Sequence, residues 1–197
     1  MIIGLTGPQR AGKTTVYDHL EKKHDFVKLS IAQEIKNVAH ELIGFSFSDE
    51  EKDKQQLVLN MATPRDLYIY VGQMDEFQND LWVKRMFAGG YQGPGNNHVI
   101  ESVGKPFQWL AILKFAQLNN DHCMIFDVMR PEHEYRDSRS AVVDFVPMLR
   151  VENSGSMEEL YDDLDNIYVP SFSQMRVNRT EEEISNYARR IEESRTA

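Results

Sequence analysis

Apolar and polar positions along this chain follow two alternating patterns: short apolar runs, and longer segments in which apolar residues recur every three or four positions. The short runs are typical of β-strands and the longer segments of amphipathic helices. Predicted strands lie at residues 1–5, 26–29, 98–102, 123–127 and 142–151, with residues 174–177 as a further candidate. Predicted helices follow the first strand's loop and begin again near Ser30, Pro64, Asp80, Pro106, Ser156 and Thr180. This alternation predicts an α/β fold, in which a parallel β-sheet carries helices on both faces and ligands bind at the carboxyl ends of the strands.

The loop after the first predicted strand carries a phosphate-binding motif. Residues 7–14 read GPQRAGKT and match the pattern G-x-x-x-x-G-K-[ST], between a strand and a helix. Glycines let successive backbone N–H groups face a triphosphate, and the next helix presents its positive end to the same anion. Lys13 would supply charge to the β and γ phosphates, and the Thr14 hydroxyl would bind Mg²⁺. The predicted ATP-binding residues are Gly7, Arg10, Ala11, Gly12, Lys13, Thr14 and Thr15.

Length, composition and charge narrow the classes of protein that fit. The chain has 197 residues, 41% of them hydrophobic, which predicts a single domain over residues 1–197, either with a full core alone or with a small mobile appendage. The net charge of −9 argues against a protein that tracks nucleic acid. No apolar run approaches the ~20 residues of a membrane span, and no basic leader precedes the first strand. We therefore expect a cytoplasmic protein (in the host cytoplasm if viral) without nucleic-acid or membrane partners.

Two acidic residues end apolar runs and compete for the role of metal ligand. Asp127 closes the longer and more apolar run, and we predict that it binds Mg²⁺ together with Thr14. Glu101 is the competitor, and it could instead contact the acceptor substrate. Helix caps or surface carboxylates remain the alternative interpretation of both residues.

Arginines follow Asp127 closely, at Arg130, Arg136 and Arg139. Guanidinium groups stabilise the charge that spreads over a transferring phosphoryl group. We predict that Arg130 and Arg136 act in catalysis together with Lys13 and Arg10, and that Arg139 binds substrate.

One glycine-rich segment stands apart from the predicted strands and helices. Residues 88–97 are predicted to form a loop, because they contain four glycines and a proline. A surface connection is the preferred interpretation, and a loop that covers a ligand is the alternative.

Several segments carry a resemblance to bacteriophage deoxynucleoside monophosphate kinases. Residues 7–15 resemble the opening of that family, including Arg10, and residues 32–36 are similar to its second helix. Residues 63–72 are similar to its substrate-side helix, and residues 80–83 to an acid-x-tryptophan element. Residues 127–134 are similar to its D-V-R-x-P-x-E segment with about one residue inserted. The resemblance implies a P-loop NTPase-type sheet like that of adenylate kinase, in a single domain with mobile substrate-binding and lid segments.

The same resemblance implies an activity, the transfer of the ATP γ-phosphate to a deoxynucleoside monophosphate with ATP and Mg²⁺ as cofactors. Lys36 and Arg65 would then bind the acceptor, with Arg65 on its phosphate. The family often has aspartate at the position of Thr14, and glutamine and threonine where this chain has Ile69 and Gln73. Base recognition therefore does not carry over.

Other functions stay open at this stage. One is a P-loop kinase for another small acceptor, such as dephospho-coenzyme A, and another is a nucleotide-dependent switch or ATPase. The negative net charge counts against the last. A phosphate acceptor needs no general base, since its oxygen is already anionic, which favours the monophosphate kinase. The expected partners are small-molecule nucleotides, with a homodimer left open.

Overall fold

A computed structural model describes residues 1–48, 51, 63–76, 80–131, 148–170 and 181–196. Within these residues five strands form one sheet: β1 (Ile2–Thr6), β2 (Val27–Leu29), β3 (His98–Ile100), β4 (Cys123–Met129) and β5 (Met148–Glu152). Every neighbouring pair is parallel, and the strand order is β2-β3-β1-β4-β5. The predicted α/β class, a P-loop-type parallel sheet flanked by helices, is confirmed. Residues 142–147 and the candidate strand at 174–177 lie outside the described residues.

Seven α-helices occur in the described part of the chain: α1 (Lys13–His24), α2 (Ile31–Ile43), α3 (Pro64–Gly72), α4 (Leu81–Gly90), α5 (Pro106–Leu118), α6 (Met157–Asp163) and α7 (Glu181–Thr196). A 3₁₀ turn (Gln73–Glu76) follows α3, and a π-helical turn (Leu164–Tyr168) continues α6. None of the helices in these described segments is long and apolar enough to cross a bilayer.

The helix starts follow the side-chain chemistry of their first residues. Ser156 and Glu159 form a reciprocal capping box at α6, where a helix is predicted to begin, and Thr63 and Asp66 form another at α3. At α2, Ser30 Oγ accepts the hydrogen bond from the Gln33 N–H, while the Gln33 side chain donates to Asn37. Thr180, near which the last helix is predicted to begin, lies outside the described residues.

The central strand β1 divides the core into two layers. Its side chains alternate between the two faces of the sheet, so that Ile2 joins one cluster and Ile3 and Leu5 join the other. The larger layer contains apolar side chains of α2, α3, α4, α5 and α7. The smaller layer lies under α1, α6 and the π-helical turn. The loop between β1 and α1 therefore stands on the smaller layer, at the carboxyl edge of the sheet.

The glycine-rich segment is shorter as a loop than predicted. Gly89 and Gly90 are the last two residues of α4, and the irregular connection begins at Tyr91. A Cβ on Gly90 would lie 2.5 Å from Leu29 Cδ2, at the end of β2. Gly90 permits close packing of α4 against β2. The glycine content of the segment predicted a loop and did not predict this packing.

Candidate active site

The phosphate loop is held in a conformation that its glycines make accessible. Gly7 has a φ of 136°, Gly12 a φ of 103° and Arg10 a φ of 67°. These values lie in the left-handed region that glycine adopts without steric cost. A Cβ on Gly7 would lie 2.2 Å from the carbonyl oxygen of Val128 in β4. The loop is therefore in direct backbone contact with the neighbouring strand.

The residue that follows β5, Asn153, makes a second contact that supports the phosphate loop. The Asn153 side chain is 9% exposed, and its Nδ2 donates to the carbonyl oxygen of Ala11 at 2.8 Å. The Asn153 main-chain N–H donates to Met129 O at 2.7 Å, which fixes Asn153 against the end of β4. A Cβ on Gly12 would lie 2.3 Å from Asn153 Nδ2. The phosphate loop thus rests on residues that follow it by more than 100 positions.

Lys13 begins α1 and folds back over the loop. Its Nζ donates to the carbonyl oxygens of Gly7 at 2.8 Å and Pro8 at 2.7 Å. This arrangement places the ammonium charge above the backbone that the motif predicts to bind phosphate.

A cavity of about 610 Å³ opens beside this loop. Three of its lining residues are cations, Arg10, Lys13 and Arg130, and one is an acid, Glu101. The local balance therefore favours an anionic ligand although the whole chain carries −9. The remaining lining residues are Gln9, Gly12, Thr14, Thr15, Ser102, Asn153, Gly155, Met157 and Leu160.

Glu101 lies directly after β3 and lines this cavity. The Ser30 hydroxyl, at the start of α2, donates to Glu101 Oε2 at 3.1 Å. The nearby Tyr17 hydroxyl donates to Leu29 O at 3.2 Å. Burial, followed by the negative charges of Glu101, Glu21 and Asp18, raises the pKa of Tyr17, so that this phenol stays neutral.

Asp127 occupies a different environment from Glu101. It is paired in register with Thr6 of β1 and Arg150 of β5, and it is 1% exposed. Its Oδ2 lies 3.7 Å from Arg150 Nε. Asp127 is not among the described residues that line the cavity. The structure thus brings Glu101, rather than Asp127, to the cavity that contains Thr14.

The other predicted site residues are distributed unevenly. Arg130 lines the cavity. Lys36 is half-buried on α2, and Arg65 is exposed in the first turn of α3, and neither belongs to the cavity lining. Arg136 and Arg139 lie outside the described residues.

Sequence reasoning did not find the wall of the cavity that follows β5. Asn153, Gly155, Met157 and Leu160 form this wall. A signal was present, because a polar, glycine-containing turn follows a strand at the edge of the sheet where ligands bind. From its sequence pattern, this segment is predicted only to begin a helix.

No protein-family model matches this sequence, and no curated protein sequence matches it. Among solved structures, the chain is similar to a presumed kinase from Chloroflexus aurantiacus, with 14% identity and a TM-score of 0.43 over 87% of this chain and 97% of that one. It is similar to TT1252 from Thermus thermophilus, with 21% identity and a TM-score of 0.45 over 86% and 97%. The shikimate kinase of Acinetobacter baumannii matches with 15% identity and a TM-score of 0.33 over 99% and 93%. The strand order and the phosphate loop of this chain themselves show that its fold is of the P-loop type.

Proposed function

We propose that this protein transfers the γ-phosphoryl group of ATP to the phosphate of a nucleoside or deoxynucleoside monophosphate. The observation that carries this proposal is the cavity in which Lys13, Arg10 and Arg130 converge beside the phosphate loop. Phosphoryl transfer needs positioning and charge stabilisation more than covalent chemistry from the protein. Three cations that line one cavity supply both.

The donor nucleotide fits along the loop and the wall that follows β5. The backbone N–H groups of the loop and the start of α1 would hold its phosphates. Met157 is 60% exposed, and it lines the cavity with Leu160 and the small Gly155. An apolar surface at this position suits the face of a purine base.

Two side chains with oxygen atoms suited to Mg²⁺ line the same cavity. Thr14 offers a hydroxyl and Glu101 a carboxylate, and oxygen donors of this kind suit Mg²⁺. When bound, Mg²⁺ would neutralise charge on the β and γ phosphates. We assign the acidic contribution to Glu101 in preference to Asp127, because Glu101 lines the cavity with Thr14.

The acceptor would enter from the side formed by Glu101 and Ser102. Arg10 and Arg130 would then hold the transferring phosphoryl group between donor and acceptor. The roles of Lys36 and Arg65 in acceptor binding, and of Arg136 and Arg139 in catalysis and binding, remain proposals that rest on the resemblance to phage monophosphate kinases. Arg65 is presented by α3, whose Tyr68 hydroxyl is hydrogen-bonded to His40 of α2 at 2.8 Å.

The test compares ADP formation with a panel of acceptors: all common ribonucleoside and deoxyribonucleoside monophosphates, dephospho-coenzyme A, and no acceptor. We expect ADP only with a monophosphate, and the matching diphosphate by mass spectrometry. Turnover without any acceptor would support a switch or ATPase, and phosphorylation of dephospho-coenzyme A would support the other kinase.

Two lysine variants control this assay. Lys13→Ala should lower kcat by more than tenfold, which corresponds to a loss above about 1.4 kcal/mol. Lys84→Ala removes an exposed lysine that is paired with Asp80, and it should leave kcat unchanged. Lys13→Ala with more than a tenth of the original kcat would contradict the role given to Lys13.

A further inference from the structure

Two histidines and an aspartate converge between α1 and the π-helical turn, outside the phosphate cavity. His19 and His24 both belong to α1, and Asp165 belongs to the π-helical turn that continues α6. Asp165 Oδ1 lies 2.7 Å from His19 Nε2 and 2.7 Å from His24 Nε2. The three ligand atoms lie within 4.8 Å of one another. None of the three residues lines the cavity of the phosphate loop.

We propose that His19, His24 and Asp165 form a binding site for a divalent transition-metal ion, with Zn²⁺ as the best match. Two imidazole nitrogens and one carboxylate oxygen are a ligand set that suits Zn²⁺ and leaves a fourth position for water. Mg²⁺ instead prefers octahedral oxygen ligands, so this site and the proposed Mg²⁺ site differ in chemistry.

The distances are compatible with a metal ion after small side-chain shifts. Tetrahedral Zn²⁺ with bonds of about 2.0–2.1 Å places its ligand atoms roughly 3.3 Å apart. The His–Asp separations of 2.7 Å would therefore open by about 0.6 Å. Such a shift is accessible, because the side chains are part-exposed: 11% for His19, 21% for His24 and 25% for Asp165.

The ring of His19 is already held in place by its neighbours. It stacks on Tyr161 of α6 with a centroid distance of 4.2 Å and an interplanar angle of 10°. The His24 ring meets it edge-on, with centroids 5.8 Å apart. Both histidines direct Nε2 at one carboxylate oxygen, so little reorientation is needed to bind a shared ion. A π-helical turn is uncommon and occurs frequently at functional sites, and here it presents Asp165.

The site joins α1 to the segment that also forms the wall of the phosphate cavity. His19 follows Lys13 by six residues, about 9 Å along the helix axis. Asp165 follows Leu160, which lines the cavity, in the same continuous helical segment. A bound ion would therefore fasten α6 and its π-helical extension to α1.

The experiment titrates metal-free protein with ZnCl₂ in competition with a chromophoric chelator, without nucleotide. We expect one tight Zn²⁺ per chain and a rise in Tm of about 5 °C or more once Zn²⁺ is in hundredfold excess over its Kd. Asp165→Asn and His24→Gln should each weaken Zn²⁺ binding by at least about tenfold. His122→Gln removes a histidine outside the cluster and should leave the affinity unchanged. The sole cysteine, Cys123, is buried, and Cys123→Ala serves as the control for a thiolate ligand.

Two outcomes would overturn the proposal. One is the absence of tight Zn²⁺ binding by the unaltered protein. The other is equal affinity in Asp165→Asn, which keeps the shape of Asp165 and is expected to fold. Co²⁺ absorption of the unaltered protein gives an independent readout, since a four-coordinate site yields intense visible bands and an aqueous ion does not.

Discussion

The Asn153 side-chain amide donates a 2.8 Å hydrogen bond to the carbonyl oxygen of Ala11, and so connects the end of β5 to the phosphate loop. Ala11 is 0% exposed. The side chain of Asn153 also occupies the space that a Cβ on Gly12 would need. The shape of the phosphate loop therefore depends on a residue far away in sequence.

Asn153→Ala should lower the free energy of unfolding by about 1–3 kcal/mol, because the buried carbonyl of Ala11 loses its partner. We also expect a higher KM for ATP. Asn153→Asp should be at least as damaging, since a carboxylate cannot donate this hydrogen bond. Asn166→Ala is the control: its amide also donates to a main-chain carbonyl, that of Asp162, but in an exposed position. Denaturant unfolding measures the loss of stability in the two alanine variants. Equal losses would show that the hydrogen bond from Asn153 to Ala11 does not stabilise the phosphate loop.

A pair of glycine variants separates backbone strain from steric overlap. Gly7 and Gly93 both have positive φ, 136° and 95°. A Cβ on Gly93 meets nothing within 4 Å, whereas one on Gly7 meets Val128 O at 2.2 Å. Gly93→Ala should cost about 1–2 kcal/mol from the left-handed backbone alone. Gly7→Ala should lower the free energy of unfolding by more than about 3 kcal/mol and abolish ATP binding. Similar losses of stability in the two variants would show that the contact between Gly7 and β4 does not matter.

The Mg²⁺ dependence of the rate distinguishes Glu101 from Asp127. Glu101→Gln should raise the Mg²⁺ concentration for half-maximal rate severalfold, because a carboxylate that lines the same cavity as Thr14 is lost. Asp127→Asn should act mainly on stability, since Asp127 is 1% exposed and faces Arg150. If only Asp127→Asn changes the Mg²⁺ concentration for half-maximal rate, Asp127 and not Glu101 binds Mg²⁺.

Arg65 is tested through the two substrates separately. If it holds the acceptor phosphate, Arg65→Ala should raise the KM for the monophosphate about tenfold or more, with little change for ATP. Arg65→Lys should restore only part of this loss, because ammonium lacks the guanidinium fork. Equal rises in both KM values would place Arg65 outside the acceptor site.

The buried His98 predicts loss of stability on mild acidification. Its side chain is 0% exposed, its Nε2 accepts from the Gln92 N–H, and its ring lies against Tyr91. Burial, and then the ammonium of Met1, lower the pKa of His98 below its usual 6.5, although Asp121 opposes this shift.

The sign of the effect follows from proton binding. Above pH 6.5 both the folded and unfolded states carry neutral His98, so it adds no pH dependence. Below pH 6.5 the unfolded state binds a proton that the folded state does not, and the free energy of unfolding falls. His98→Gln should flatten this slope in unfolding curves between pH 5 and 7.5, and an unchanged slope would refute the assignment.

The sequence was sufficient for the features that depend on local order. The strands, the phosphate loop and the capping box of Ser156 and Glu159 are determined by residues that are close together in the sequence. The choice between Glu101 and Asp127 was not local, because Glu101 follows β3 and Asp127 lies inside β4, and both strands pair with β1. Only the folded chain shows that Glu101 lines the cavity. The brace from Asn153 spans 142 residues, and the π-helical turn has no periodic signature.

The central position of β1 has a consequence for how the protein folds while it is being synthesised. Its hydrogen-bonded neighbours are β3 and β4, and residues 7–97 separate it from the nearer of these in sequence. At a synthesis rate of about 5–20 residues per second, an apolar strand emerges from the ribosome roughly 5–20 s before its first partner. Val128 and Asn153, which support the phosphate loop, emerge later still. Under the proposed function, a bound nucleotide would therefore favour the nascent fold only when most of the chain has been translated, and until then β1 lacks its two neighbouring strands.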